Sequence, residues 1–81
     1  MIFHNDIHKI EMLGKIKSRE IQFAGNQKLK IYGLLNCASG KRMLRVNRVF
    51  FSSERDALQN GYRPCGHCLR VKYKEWKINK I

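Results

Sequence analysis

The chain has 81 residues, with seventeen Lys and Arg against six Asp and Glu and a net charge of +11. That length makes one domain, residues 1–81, whose apolar core supplies only about 3 to 5 kcal/mol, so a further staple is expected. Three cysteines, an odd number, fit a metal site better than a disulfide framework. No run approaches the roughly 20 apolar residues of a membrane span. MIFHNDIHKI also lacks the apolar region and small-residue cleavage site of a secretory signal. A cytoplasmic protein without a membrane partner is therefore expected. The positive charge exceeds what solubility requires and favours a polyanion, most commonly nucleic acid. Basic residues that merely solvate a small domain are the competing reading.

In chain order, Ile7, Ile10, Leu13 and Ile16 recur every three residues and predict one face of a short helix, with Asn5 or Asp6 as N-cap. His4 and His8, four apart, would share a face if both were helical, which makes either a candidate metal ligand. Ile21–Gly25 (IQFAG) and Lys28–Tyr32 (KLKIY) alternate in polarity around an Asn26-Gln27 turn. They predict a hairpin with Ile21, Phe23, Leu29 and Ile31 toward the core. Gly33 to Arg48 reads as a basic loop opened by Ser39 and Gly40. Its Lys41, Arg42, Arg45 and Arg48 would approach phosphate together with backbone amides.

Val49–Phe51 (VFF) is apolar enough for a buried strand. Ser53 and Asp56 resemble a capping box, and the helix it opens, Glu54 to Asn60, ends at Gly61 as its left-handed C′ residue. Pro64 removes an N–H and stiffens the approach to Cys65-Gly66-His67-Cys68, where Gly66 allows a tight knuckle. With Cys37 upstream, that knuckle is a zinc half-site. His67 lies between the ligands and should diverge from the metal. Leu69, Tyr73 and Trp76 recur at i, i+4 and i+7, one buried helical face, with Arg70, Lys74 and Lys77 opposite.

Ile31 to Cys68 resembles the N-terminal zinc domain of the bacterial Ada family, which repairs methylphosphotriesters in DNA. The family pattern runs Ile-Phe, Cys-x-x-x-Cys, a basic stretch, Asn-Val-x-Phe-Tyr, an Ala-rich helix and Gly-Phe-Arg-Pro-Cys-x-x-Cys. Ile31-Tyr32, Asn47 to Phe51, Ala57-Leu58 and Gly61 to Cys68 fall in the same places. The resemblance implies that Cys37, Cys65 and Cys68 are structural zinc ligands. It also implies that the first family cysteine, both ligand and methyl acceptor, is replaced by Gly33. An alternative placement sets Cys37 at the acceptor position and Lys41 at the second cysteine.

The expectation is thus an α+β domain stabilised by zinc, with a short antiparallel sheet, a hairpin plus a third strand, flanked by about three helices. Zinc is preferred over iron or cobalt because thiolate-rich sites favour it. The fourth position would fall to His4, His8, His67, water or another chain. The function expected is DNA phosphate contact through Lys41, Arg42, Arg45 and Arg63 without methyl-acceptor activity. A methyl acceptor using Cys37 and a protein-interaction module are the alternatives.

Overall fold

The computed structural model describes residues 1–37 and 43–79 of the chain. Five strands form one sheet: β1 (Ile2–Phe3), β2 (Phe23–Asn26), β3 (Ile31–Leu34), β4 (Arg48–Phe51) and β5 (Arg63–Pro64), in the order β1-β4-β2-β3-β5. Three helices accompany it: α1 (Lys9–Lys17), α2 (Glu54–Gln59) and α3 (Arg70–Asn79). This is the expected α+β class. The hairpin is β2–β3 and the third strand is β4, all antiparallel. Two short strands extend it: β1 pairs antiparallel with β4, and β5 pairs parallel with β3, so the sheet is mixed.

Val49, Phe50 and Phe51 are all essentially inaccessible because both faces of the sheet are covered. Successive strand side chains point to opposite faces. Val49 and Phe51 therefore join Tyr32, Ala57 and Tyr62 on one side, while Phe50 joins Ile7, Ile21 and Ala24 on the other. The α2 side is set by local chemistry. Ser53 Oγ accepts the Asp56 N–H at 3.1 Å, and Gly61 takes φ +82°. The chain then returns so that the Tyr62 N–H reaches the Ala57 carbonyl at 3.1 Å and its ring meets Phe51 edge-on, centroids 4.8 Å apart.

Two expectations are corrected in detail. Helix α1 begins at Lys9 with His8 as its N-cap, while His4–Asp6 form a separate 3-10 turn. Of the four expected residues Ile7 and Ile16 do join the core, but Ile10 is 85% exposed and Leu13 51%, and Met12 packs there in their place. The reason is angular: a three-residue repeat drifts about 60° per step around a helix of 3.6 residues per turn, so four such positions cannot share one narrow face. The hairpin loop also lies later than expected. Asn26 Oδ1 accepts the N–H groups of Lys28 and Leu29, and the Asn26 carbonyl accepts the Lys30 N–H. Residues 27–30 thus form the loop, Lys30 adopts φ 58°, and Leu29 is exposed. Gly33 consequently belongs to β3, opposite Ala24, and not to the basic loop.

Gly25 has no room for a methyl group. A Cβ there would lie 2.9 Å from both the Ile31 carbonyl oxygen and Phe51 Cε2, whereas one on Gly14 would meet nothing within 4 Å. Gly25→Ala is expected to cost roughly 1–3 kcal/mol by overpacking. Gly14→Ala, in a helix interior, is expected to stabilise by about 0.5–1 kcal/mol. Chemical denaturation of the two variants beside wild type checks both signs.

Candidate metal centre

Cys37 follows the turn that leaves β3, where its N–H reaches the Leu34 carbonyl at 3.1 Å. Cys65 follows β5 directly, and its N–H donates to the Tyr32 carbonyl at 2.8 Å, which continues the parallel ladder by one residue. The chain then turns through Gly66 and His67 to Cys68 and enters α3, with the Leu69 N–H on the Cys65 carbonyl at 3.0 Å. A Cβ on Gly66 would sit 3.3 to 3.5 Å from the Tyr73 ring, so the bare backbone lets that ring close over the knuckle.

The sheet edge thereby brings together the three predicted cysteines. Their sulfurs all lie within 4.8 Å of one another, and no disulfide joins them. Thiolates about 2.3 Å from one tetrahedral ion would lie roughly 3.8 Å apart, so a small closure suffices. Two backbone amides face the sulfurs: Leu34 N–H donates to Cys68 Sγ and His67 N–H to Cys65 Sγ, each at 3.4 Å. Burial pushes the Cys68 thiol up to about 12; the Leu34 N–H opposes this, and the neighbouring Cys37 and Cys65 thiols add to it. The cluster is positioned to bind a metal ion, and its soft, thiolate-rich donor set is one that suits zinc.

Gly33 forms a further side of this cluster. A Cβ built on it would lie 2.7 Å from Cys68 Sγ and 3.2 Å from Cys65 Cβ. A cleft of about 300 Å³ opens beside these residues, with Gly33, Cys37, Cys65, Leu34, Met43 and Arg63 on its walls. The histidines do not join the trio. His4 packs edge-on against Phe50, centroids 5.2 Å apart. Burial, and then the charges of Arg45 and Arg48, hold its imidazole below the ordinary value and so favour the neutral ring. His8 is the exposed N-cap of α1, and His67 is exposed on the knuckle.

The expected phosphate contacts are spread out. Lys41 and Arg42 lie outside the described residues. Arg45 is exposed in a 3-10 turn just before β4, a turn that packs near the His4–Asp6 turn. Arg63 lies on β5, the opposite edge of the sheet from β1. Its guanidinium carbon sits 5.1 Å from the Tyr73 ring centre and 5.8 Å from that of Trp76, and Nη1 donates to the Pro64 carbonyl at 3.1 Å. Tyr73 and Trp76 are half-buried, stacked on each other at 5.9 Å, and brace Arg63 as well as the helix. Sequence reasoning missed the Leu34 and His67 amides, because a backbone donor leaves no residue-type signal. It also missed the Arg63 stack, for which the Tyr73–Trp76 spacing was a clue to a shared face but not to its occupant.

No curated protein and no solved structure matches the chain. A family model described as the metal binding domain of Ada matches residues 16–70. That span begins within α1, contains all three cysteines and Gly33, and ends as α3 begins. With its sulfurs gathered at one sheet edge as a metal site requires, the chain belongs to the Ada zinc-binding domain family.

Proposed function

We propose that this domain is a zinc-stabilised module that contacts DNA through its phosphates and does not accept methyl groups. The observation that carries the reading is Gly33: the residue in place of the family's acceptor cysteine directs its missing side chain at Cys65 and Cys68. Glycine has no atom that can take a methyl group. Cys37, the remaining candidate, is only 7% exposed and so offers an incoming phosphotriester little access. This supports the placement in which Gly33, not Cys37, occupies the acceptor position.

In this reading Cys37, Cys65 and Cys68 hold the ion. When bound, zinc keeps its thiol ligands deprotonated and contributes folding free energy, a benefit to a domain with so small a core. The chain's own residues orient the site. The Cys65 N–H fixes the knuckle on β3, and the Leu34 and His67 amides offset sulfur charge. The net charge of +11 supports a polyanion partner, with Lys41, Arg42, Arg45 and Arg63 as the phosphate contacts. The odd cysteine count supports a reducing, cytoplasmic location. Among the described residues no helix is long and apolar enough to cross a membrane.

Three outcomes test this. Metal analysis is expected to give about one zinc per chain, and chelation is expected to abolish the cooperative melt, since structural zinc supplies roughly 10 kcal/mol or more in small domains. Because burial holds the Cys68 thiol protonated, its proton must leave on binding. Zinc affinity is therefore expected to rise with pH, by about tenfold per unit for each proton displaced, as competition with a chromophoric chelator would read.

DNA binding followed by anisotropy is expected to weaken with salt, with a log–log slope of roughly −0.9 per phosphate neutralised. Replacing Lys41, Arg42 or Arg45 by Ala should reduce that slope by about 1 each. Binding indifferent to salt would sink the phosphate reading. After incubation with methylphosphotriester DNA the intact mass is expected to stay unchanged, and a methyl group located on Cys37 would show that it is the acceptor.

A further inference from the structure

We propose that the metal's remaining coordination position is filled from solution by a small thiol that carries a carboxylate. The proposal rests on the reading that the trio holds a metal, and it concerns what completes that site. Three donors leave a tetrahedral ion one position short. The chain's other usual donors are His4, His8, His67 and the six carboxylates, and all lie among the described residues. None of them joins the sulfur cluster. Where a fourth side chain would reach in, Gly33 presents only backbone.

Among the described residues that side is not sealed. Gly33, Cys37 and Cys65 share the walls of the 300 Å³ cleft, a volume at the small end of the range for ligand pockets. Leu34 and Met43 give the cleft apolar surface, and among the described residues Arg63 is its cation. An ion with three thiolates is soft and selects a further soft donor over a hard one, so sulfur is preferred to carboxylate oxygen. Arg63 then selects among thiols. Its guanidinium is held by the Tyr73 and Trp76 rings and by the Pro64 carbonyl, and a guanidinium recognises carboxylate through charge-assisted, paired hydrogen bonds.

The step involves no redox change. The incoming thiol releases its proton to solvent, a sulfur–metal bond forms, and any water in that position leaves. Net charge at the metal goes from about −1 to about −2. The Leu34 and His67 amides, Arg63 and the overall charge of +11 offset this. The bond is reversible because the chelate that retains the three protein ligands does not retain the fourth.

The test uses the full chain loaded with cobalt(II), whose sulfur charge-transfer absorption reports thiolate number. Mercaptopropionate and cysteamine, thiols of opposite charge, are titrated in separately. Expected is a saturable rise of roughly a third as three thiolates become four, at lower concentration for mercaptopropionate. Arg63→Gln should remove that preference while keeping the rise. Gly33→Cys should show the four-sulfur absorption with no added thiol and no response to it. Since a Cβ there would meet Cys68 Sγ at 2.7 Å, the wild-type titration decides the matter even if this variant fails to fold. Cobalt bound but unmoved by either thiol overturns this proposal and leaves the metal reading intact. A four-sulfur spectrum that appears without thiol and depends on protein concentration also overturns it, in favour of a ligand from a second copy. No cobalt binding at all overturns both readings, and equal response to the two thiols overturns the role given to Arg63.

Discussion

Everything at the site depends on the short parallel pairing of β5 with β3. Parallel neighbours cannot be joined by a tight turn, and here the connection runs through β4 and α2 before the chain returns to the sheet edge. The hydrogen bonds from Arg63 N–H to the Lys30 carbonyl and from Cys65 N–H to the Tyr32 carbonyl, both 2.8 Å, fix the register. That register sets the Cys65–Cys68 knuckle against Gly33 and the turn that carries Cys37. A bound metal would close the same loop, so strand pair and ion reinforce each other: each reduces the entropy cost of forming the other.

Two glycines on neighbouring strands make room for different things. Gly25 on β2 admits the rings of Phe51 and Tyr62 on the α2 side of the sheet. Gly33 on β3, opposite Ala24, admits sulfur. Neither has a positive φ, so the requirement at both is space and not backbone conformation. The first glycine serves packing density, in a sheet whose central strand is buried on both faces. The second leaves only backbone beside the Cys65 and Cys68 sulfurs.

Charge is arranged in layers. Thiolates at the sheet edge would put negative charge beside N–H donors from Leu34 and His67, inside a chain of net charge +11. Charge-assisted hydrogen bonds of this kind are stronger than neutral ones, and they act before any solvent ion does. Arg63 is tied to this edge by the Tyr73 and Trp76 rings, whereas Arg45 is exposed beside β4 and the half-buried His4. Among the described residues Arg63 is the cation of the basic set that borders the metal cleft, and like Arg48 over Phe50 it is held against aromatic rings.

What could be read from residue order was whatever is decided within a few positions. Ser53 with Asp56, Gly61 after α2, the apolar triplet Val49–Phe51 and the Cys-x-x-Cys knuckle each announce themselves because cap, turn and burial are short-range. Gly33 was singled out only through the family pattern, since a glycine in isolation says nothing of what lies opposite. Strands β1 and β5 were not legible, because two residues carry no alternation. The α1 face and the β2–β3 loop were displaced because a three-residue period and an Asn26 cap compete with simpler patterns.

The one-dimensional chain therefore determined the types of the longer elements, the charge, the donor atoms and the family. Tertiary structure decided how closely Cys37, Cys65 and Cys68, which the family pattern had already joined, converge, that no histidine accompanies them and that Gly33 faces Cys65 and Cys68 beside a cleft. Convergence is set by strand register and by the path of a long connection, and neither is encoded in any local spacing.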